Sequence, residues 1–223
     1  MKEKERDLER IRSEDQTQGK PQEKNYSAHI LGPYWAGISW PKRKNKERHN
    51  NHRLSRLLYQ NKRYNHDYPP LSAQAITEIC ELMCNRLQDV TLLDNIEIIV
   101  PVPNMETNSR PSIRCALPIA TGLAAMICTR NRKNCNSYND ILERVSNTKE
   151  GNKVHERRKA AERNFDVVKD IKTAENSTIK DQIVLLIDDI TTSGSTAKVC
   201  ANLLVSYGAK QVIILCAAET KLG

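Results

Sequence analysis

Three short apolar runs constrain this chain most: "IEIIVPVP" (96–103), "QIVLLID" (182–188) and "QVIILCA" (211–217). They are rich in β-branched residues and do not alternate with polar ones, as a strand with one face in water would. Runs of this kind suit strands covered on both faces, the situation in parallel sheets whose crossovers lay helices on either side. The intervening sequence supplies such helices. Between the last two runs, "STAKVCANLLVSYG" sets Val199, Cys200, Leu203, Leu204 and Tyr207 on one face, with Gly208 placed to cap the carboxyl end. From Pro111 to Arg130, Ile113, Leu117, Ala120, Ala124 and Ile127 recur after the first run, and Ile76, Ile79, Cys80, Met83 and Leu87 precede it at helical spacing. "FDVV" (165–168) is a further short strand candidate. The expectation is an α/β domain with a mostly parallel sheet flanked by helices.

The second run leads directly into Asp188 and Asp189, and then into Thr191, Thr192, Ser193, Gly194, Ser195 and Thr196. Ligands of open parallel sheets bind at this carboxyl end of the strands. The small hydroxylated residues form a turn into a helix, whose free N–H groups favour a phosphate, and Gly194 lets the backbone approach it. Neither the lysine of G-x-x-x-x-G-K-[ST] nor a G-x-G-x-x-G is present. The two acids would repel a bare phosphate. Neighbouring strand residues point to opposite faces, so they are not a ready-made catalytic dyad. Acids beside a phosphate site are tolerable where they accept hydrogen bonds from sugar hydroxyls or face a cation. A phosphorylated ribose meets both requirements, its phosphate on the turn and its hydroxyls on the acids.

"VLLIDDITTSGST" resembles the phosphoribosyl pyrophosphate (PRPP) motif of type I phosphoribosyltransferases: an apolar strand, two acids and a hydroxyl-rich loop ending Gly-x-Thr. Ser193 stands where many members have a second Thr, and Thr191 where many have an aliphatic residue. The chain is most similar to the ComF-like branch over roughly residues 92 to 218. "IIVPVP" resembles that branch's strand and pyrophosphate loop, with Val102 and Pro103 opening the loop, and Arg110 and a helix following. "LERVSNTKE" and "HERRKAAERNFDVV" resemble its L-x-R…T and E-R…F-x-V segments at Leu142, Arg144, Thr148, Glu156, Arg157 and Phe165. The chain departs from the branch at Pro111, Ser112 and Ile113, where R-G-F-N is common, at Ala160, where Asn is common, and in lacking a cysteine-rich zinc module.

The resemblance implies a type I phosphoribosyltransferase fold and displacement of pyrophosphate from C1 of PRPP by an unidentified nitrogenous acceptor, with Mg2+ on the pyrophosphate. It places Asp188 and Asp189 on the ribose hydroxyls, and on the metal directly or through PRPP. Thr192, Ser193, Gly194, Ser195 and Thr196 take the 5′-phosphate, and Arg144 and Arg157 the developing charge. A polar segment from Asn131 to Arg163, with "NTKEGNK" at its tip, reads either as a lid or as a charged surface helix after an ordinary loop. A homodimer is a further possibility the family leaves open. A receiver domain, which also pairs two acids, is disfavoured because its pair follows the first strand.

Charge is concentrated. Between Pro41 and Tyr64 nine Lys or Arg residues face one acid, Glu47, which accounts for the whole chain's net +8. This stretch reads as a solvated face or, through residues 42–63 with Trp35, Trp40, Tyr59 and Tyr64 interleaved, as a nucleic-acid contact. The second possibility keeps open an accessory, PRPP-fold binding protein of ComF type, acting in DNA uptake or nucleic-acid metabolism. Residues 1–24 read as a charged, disordered leader, 25–70 as a basic and aromatic extension or hood, and 71–223 as the phosphoribosyltransferase domain. The seven cysteines fall mostly in apolar segments without C-x-x-C spacing, which reads as core packing in a reducing compartment. With no apolar run near the ~20 residues of a membrane span, the expected location is cytoplasmic and away from membranes.

Overall fold

The structure, a computed structural model, describes residues 26–34, 51–62, 72–103, 116–131, 135–138, 140–146, 154–168 and 178–220. In chain order the elements are β1 (Tyr26–Tyr34), α1 (Arg53–Lys62), α2 (Ala73–Asp89), a 3₁₀ turn (Leu93–Asn95), β2 (Ile98–Pro101), α3 (Ala116–Asn131), β3 (Asn136–Ser137), β4 (Leu142–Arg144), α4 (Val154–Asn164), β5 (Phe165–Val167), β6 (Ile183–Thr191), α5 (Ser195–Ser206) and β7 (Gln211–Thr220). Five strands form a sheet in the order β1-β7-β6-β2-β3, every neighbouring pair parallel. β4 and β5 form a separate antiparallel pair. This is an α/β architecture, a mostly parallel sheet flanked by helices, as expected from the apolar runs.

Alternation along β6 divides the core between the two faces of the sheet. Leu185 and Ile187 pack with Ile79, Met83, Ile119 and Leu123 of α2 and α3. Val184 and Leu186 pack with Cys200 and Leu204 of α5 and with Leu142, Phe165 and Val167 of the β4–β5 pair. Both faces are covered, which is why the strands read as continuous apolar runs. Helices α2 and α3 touch closely at Gly122, where a Cβ would come within 3.0 Å of Cys80 Sγ and of Ile76 Cγ2. Ser72 caps α2, its hydroxyl accepting from Ala75 N at 3.2 Å. Gly208 (φ +102°) ends α5 as expected: its N–H donates to Val205 O, and that of Ala209 to Leu204 O. Cys80, Cys84, Cys135, Cys200 and Cys216 are buried and unbridged, and burial pushes the Cys80 thiol up to about 12.

Part of the stretch from 25 to 70 belongs to the sheet. β1 runs alongside β7 from Tyr26↔Val212 to Tyr34↔Thr220, so a domain drawn from residue 71 lacks its edge strand. α1 then buries Leu54 and Leu58 in the core shared with α2, and Arg53 forms a bidentate ion pair with Glu78. The leader, Trp35, Trp40 and Lys42 to Arg48 lie outside the described residues.

Candidate active site

β6 is longer than its apolar run suggests. It continues through both acids to Thr191, which is buried and pairs with Glu219, so the turn comprises Thr192, Ser193 and Gly194. The acids are half-buried at the strand's carboxyl end. By alternation Asp188 continues the face of Val184 and Leu186, and Asp189 that of Leu185 and Ile187. A second observation agrees for Asp188. Burial pushes the thiols of Cys200 and Cys216 up, and the Asp188 carboxylate adds to the rise at both, so it stands close to the α5 side of the sheet. Each carboxylate is oriented by the backbone that follows it: Asp189 N donates to Asp188 Oδ1 at 2.9 Å, and Ile190 N to Asp189 Oδ1 at 2.6 Å.

The turn closes in a left-handed conformation at Gly194 (φ +70°, ψ 2°), which caps α5 without any side-chain hydrogen bond. The first intrahelical bond is Lys198 N to Gly194 O at 3.0 Å, which leaves the amide groups of the first turn facing outward. Ser193 and Ser195 hydroxyls lie 2.9 Å apart, and Ser195 N–H reaches Ser193 Oγ only weakly, at 3.4 Å. This is an anion-binding helix start with two serine hydroxyls beside it. A Cβ on Gly194 would meet nothing nearer than Thr191 Oγ1 at 3.8 Å and Lys198 Cε at 3.9 Å. The glycine is required by the backbone conformation, not by crowding. The same distance shows that Lys198 folds its chain back over the turn, placing a cation at a site whose sequence has no P-loop lysine.

β2 delivers its end to the same place. Val102 N donates to Ile187 O at 2.8 Å, which sets Val102 and Pro103 beside Asp188. Arg110 and the loop beyond Pro103 lie outside the described residues. The two loosely motif-like segments meet as strand partners: Leu142 pairs with Val167, and Arg144 with Phe165. The Arg144 guanidinium lies 5.2 Å from the Phe165 ring centre and its Nε donates to Ser146 O at 3.2 Å, so the L-x-R and F-x-V pattern describes an antiparallel strand pair. Arg144 also lowers the Cys200 thiol pKa that Asp188 raises, which puts it on the Asp188 side of the sheet. The segment carrying Arg157 is helix α4; the Arg157 side chain lies outside what the structure describes.

Glu219 escapes sequence reasoning because the apolar run of β7 ends at Ala217, whereas the strand continues to Thr220. Lys198 escapes it because its approach to the turn is a matter of helix geometry and not of motif spacing.

Residues 114–221, just under half of the chain, match the family model for the phosphoribosyl transferase domain. That stretch contains both acids, the turn and α5, and is similar to phosphoribosyl transferase domains throughout; Val102 and Pro103 precede it. No curated protein matched the chain. Among the described residues, no helix is long and apolar enough to cross a membrane.

Proposed function

We propose that the protein is a PRPP-dependent phosphoribosyltransferase that displaces pyrophosphate from C1 of PRPP with a nitrogenous acceptor. The observation that carries this reading is the succession at the end of β6: two oriented carboxylates, a left-handed glycine and a helix start with no side-chain cap. Asp188 and Asp189 accept hydrogen bonds from the ribose hydroxyls. The turn from Thr192 to Thr196 holds the 5′-phosphate, and the chain beyond Val102 and Pro103 receives the pyrophosphate. Arg144 and Arg157 meet the charge that develops as pyrophosphate departs. Catalysis rests on positioning and electrostatic stabilisation, without a protein nucleophile.

The acids suit a magnesium ion that arrives on PRPP. Each uses one oxygen to accept a backbone N–H, and no group of three or more His, Cys, Asp or Glu side chains forms a cation cage among the described residues. Mg2+ bound mainly by substrate oxygens fits this donor set and would neutralise the leaving pyrophosphate. The ComF-like segments and the free thiols support a ComF-like enzyme working in a reducing, cytoplasmic setting. The accessory, DNA-linked reading has less support, since Arg53 of the basic stretch is paired with Glu78 and α1 packs into the core.

The test is PRPP-dependent release of pyrophosphate in the presence of Mg2+ and a panel of nucleobases and small amines. Release that requires both the acceptor and the intact acids is expected, and PRPP binding without release for any acceptor would favour the accessory reading. Lys198→Ala should weaken PRPP binding about 3- to 10-fold, the worth of one charge-assisted contact at an exposed site, and more so at low salt. Unchanged affinity would mean that the lysine does not reach the phosphate.

A further inference from the structure

We infer that Cys128 and Cys135 form a reversible dithiol pair that peroxides oxidise to a disulfide, with Cys128 the thiol attacked and Cys135 the thiol that resolves it. The inference stands on the corner between α3 and β3 and is independent of the PRPP reading. Cys128 lies in the last turn of α3, and Cys135 immediately precedes β3. Their contact is direct. The Cys128 thiol donates to Cys135 O at 3.2 Å, and Cys135 N donates to Cys128 Sγ at 3.1 Å. A sulfur held against both polar backbone groups of one residue keeps the two Cα atoms no more than about 7 Å apart, at the reach of a disulfide.

Exposure separates this pair from the other thiols. Among the described residues Cys128 is the cysteine whose side chain is partly exposed, whereas Cys80, Cys84, Cys135, Cys200 and Cys216 are buried. Burial also pushes up the thiols of Cys80, Cys84, Cys200 and Cys216, which keeps them from the thiolate form that oxidants attack. Cys80 and Cys84 share a face of α2, but neither meets solvent. Cys135 belongs to the core cluster, and Cys128 packs against that cluster from its rim. A thiol that meets solvent, with a buried thiol beside it, is the arrangement of a redox sensor. Cys128 can reach Cys135 where an oxidant or another protein cannot.

In the first step the Cys128 sulfur attacks one oxygen of hydrogen peroxide. The S–O bond forms, the O–O bond breaks, and the other oxygen leaves as water with the thiol proton. In the second, the Cys135 sulfur attacks the Cys128 sulfenic acid; the S–S bond forms, the S–O bond breaks, and the hydroxyl leaves as water with the Cys135 proton. The two thiols lose two electrons and two protons, and the peroxide takes them up. Oxidation removes the proton that Cys128 donates to Cys135 O and draws its sulfur off Cys135 N, so the disulfide forfeits native contacts. An external thiol then reduces it at the exposed sulfur. This suits a transient bond in a reducing compartment and not a permanent staple. While it lasts, it ties the end of α3 to β3, which pairs with β2 through Asn136 and Ser137.

Arg130, Arg132 and Lys133 separate the two cysteines, so trypsin places them on different peptides that a disulfide would keep joined. The full chain, reduced and then freed of reductant, is treated with a few equivalents of hydrogen peroxide, blocked with iodoacetamide, digested and read by mass spectrometry. A linked Cys128–Cys135 pair is expected, abolished by dithiothreitol and retained in Cys115→Ser, since Cys115 shares the tryptic peptide of Cys128. In Cys135→Ser, Cys128 should persist as the sulfenic acid and take up dimedone at least about tenfold more than in the wild type. Cys128→Ser should lose both the link and the label. Peptides that stay separate in the oxidised wild type, a link that survives Cys128→Ser, or oxidation that falls first on Cys80, Cys84, Cys200 or Cys216 would each overturn the inference.

Discussion

Gly194→Val is expected to lose PRPP binding by at least about 100-fold while the chain remains folded. The position has φ +70°, and a β-branched residue there is a genuine outlier. Valine would cost about 1–3 kcal/mol in this conformation, or would pull the turn out of it. The space around the position is open, with the nearest atoms 3.8 and 3.9 Å from where a Cβ would stand, so no clash propagates into the core. What changes is the direction of the amide groups at the start of α5. A phosphate held by several charge-assisted bonds, each worth about 1.5–3 kcal/mol, loses two or more of them when the turn is re-aimed. Calorimetry measures the affinity, and circular dichroism establishes that the variant is folded. Full affinity in a folded Gly194→Val protein would move the phosphate elsewhere.

The second large effect belongs to the acids. Asp189→Asn keeps an oxygen that accepts from Ile190 N, so the local backbone remains satisfied and only the charge is removed. The expected cost to PRPP binding is about 1.5–3 kcal/mol, or about 10- to 150-fold, from loss of a charge-assisted bond to a ribose hydroxyl. Thermal stability should change little. A fall in melting temperature with intact PRPP affinity would make the acid a structural capping group instead of a ligand.

The strand, acids and turn of the candidate site were largely legible in the sequence because they are local. The apolar run of β6, the two acids and the turn occupy consecutive positions, and a helix with a marked apolar face follows immediately. The edge strand was not legible. "YSAHILGPY" mixes polar and apolar residues and contains Gly32 and Pro33, which read as turn punctuation, and its partner β7 lies almost the whole chain away. An edge position tolerates proline because one side of the strand makes no ladder bonds, so the usual breaker signal misleads there. β3 has two residues and β4 three, too few to carry a periodic pattern. Arg144 was recognisable as a motif residue, but its packing on Phe165 depends on a pairing between segments about 20 residues apart, which spacing alone does not reveal. Lys198 and Glu219 come near the end of β6 through helix geometry and sheet register, both tertiary properties.

The central claim is that the end of β6 and the start of α5 form a PRPP site that uses magnesium. Titration of PRPP into the protein by calorimetry, once with excess Mg2+ and once with excess chelator, tests it most directly. A cation is needed to bring a pyrophosphate next to two carboxylates. The account predicts one site per chain with Mg2+, affinity at least about tenfold weaker in chelator, and loss of the Mg2+-dependent binding in Asp189→Asn and Gly194→Val. Equal affinity with and without the metal, or binding that survives both substitutions, would contradict it.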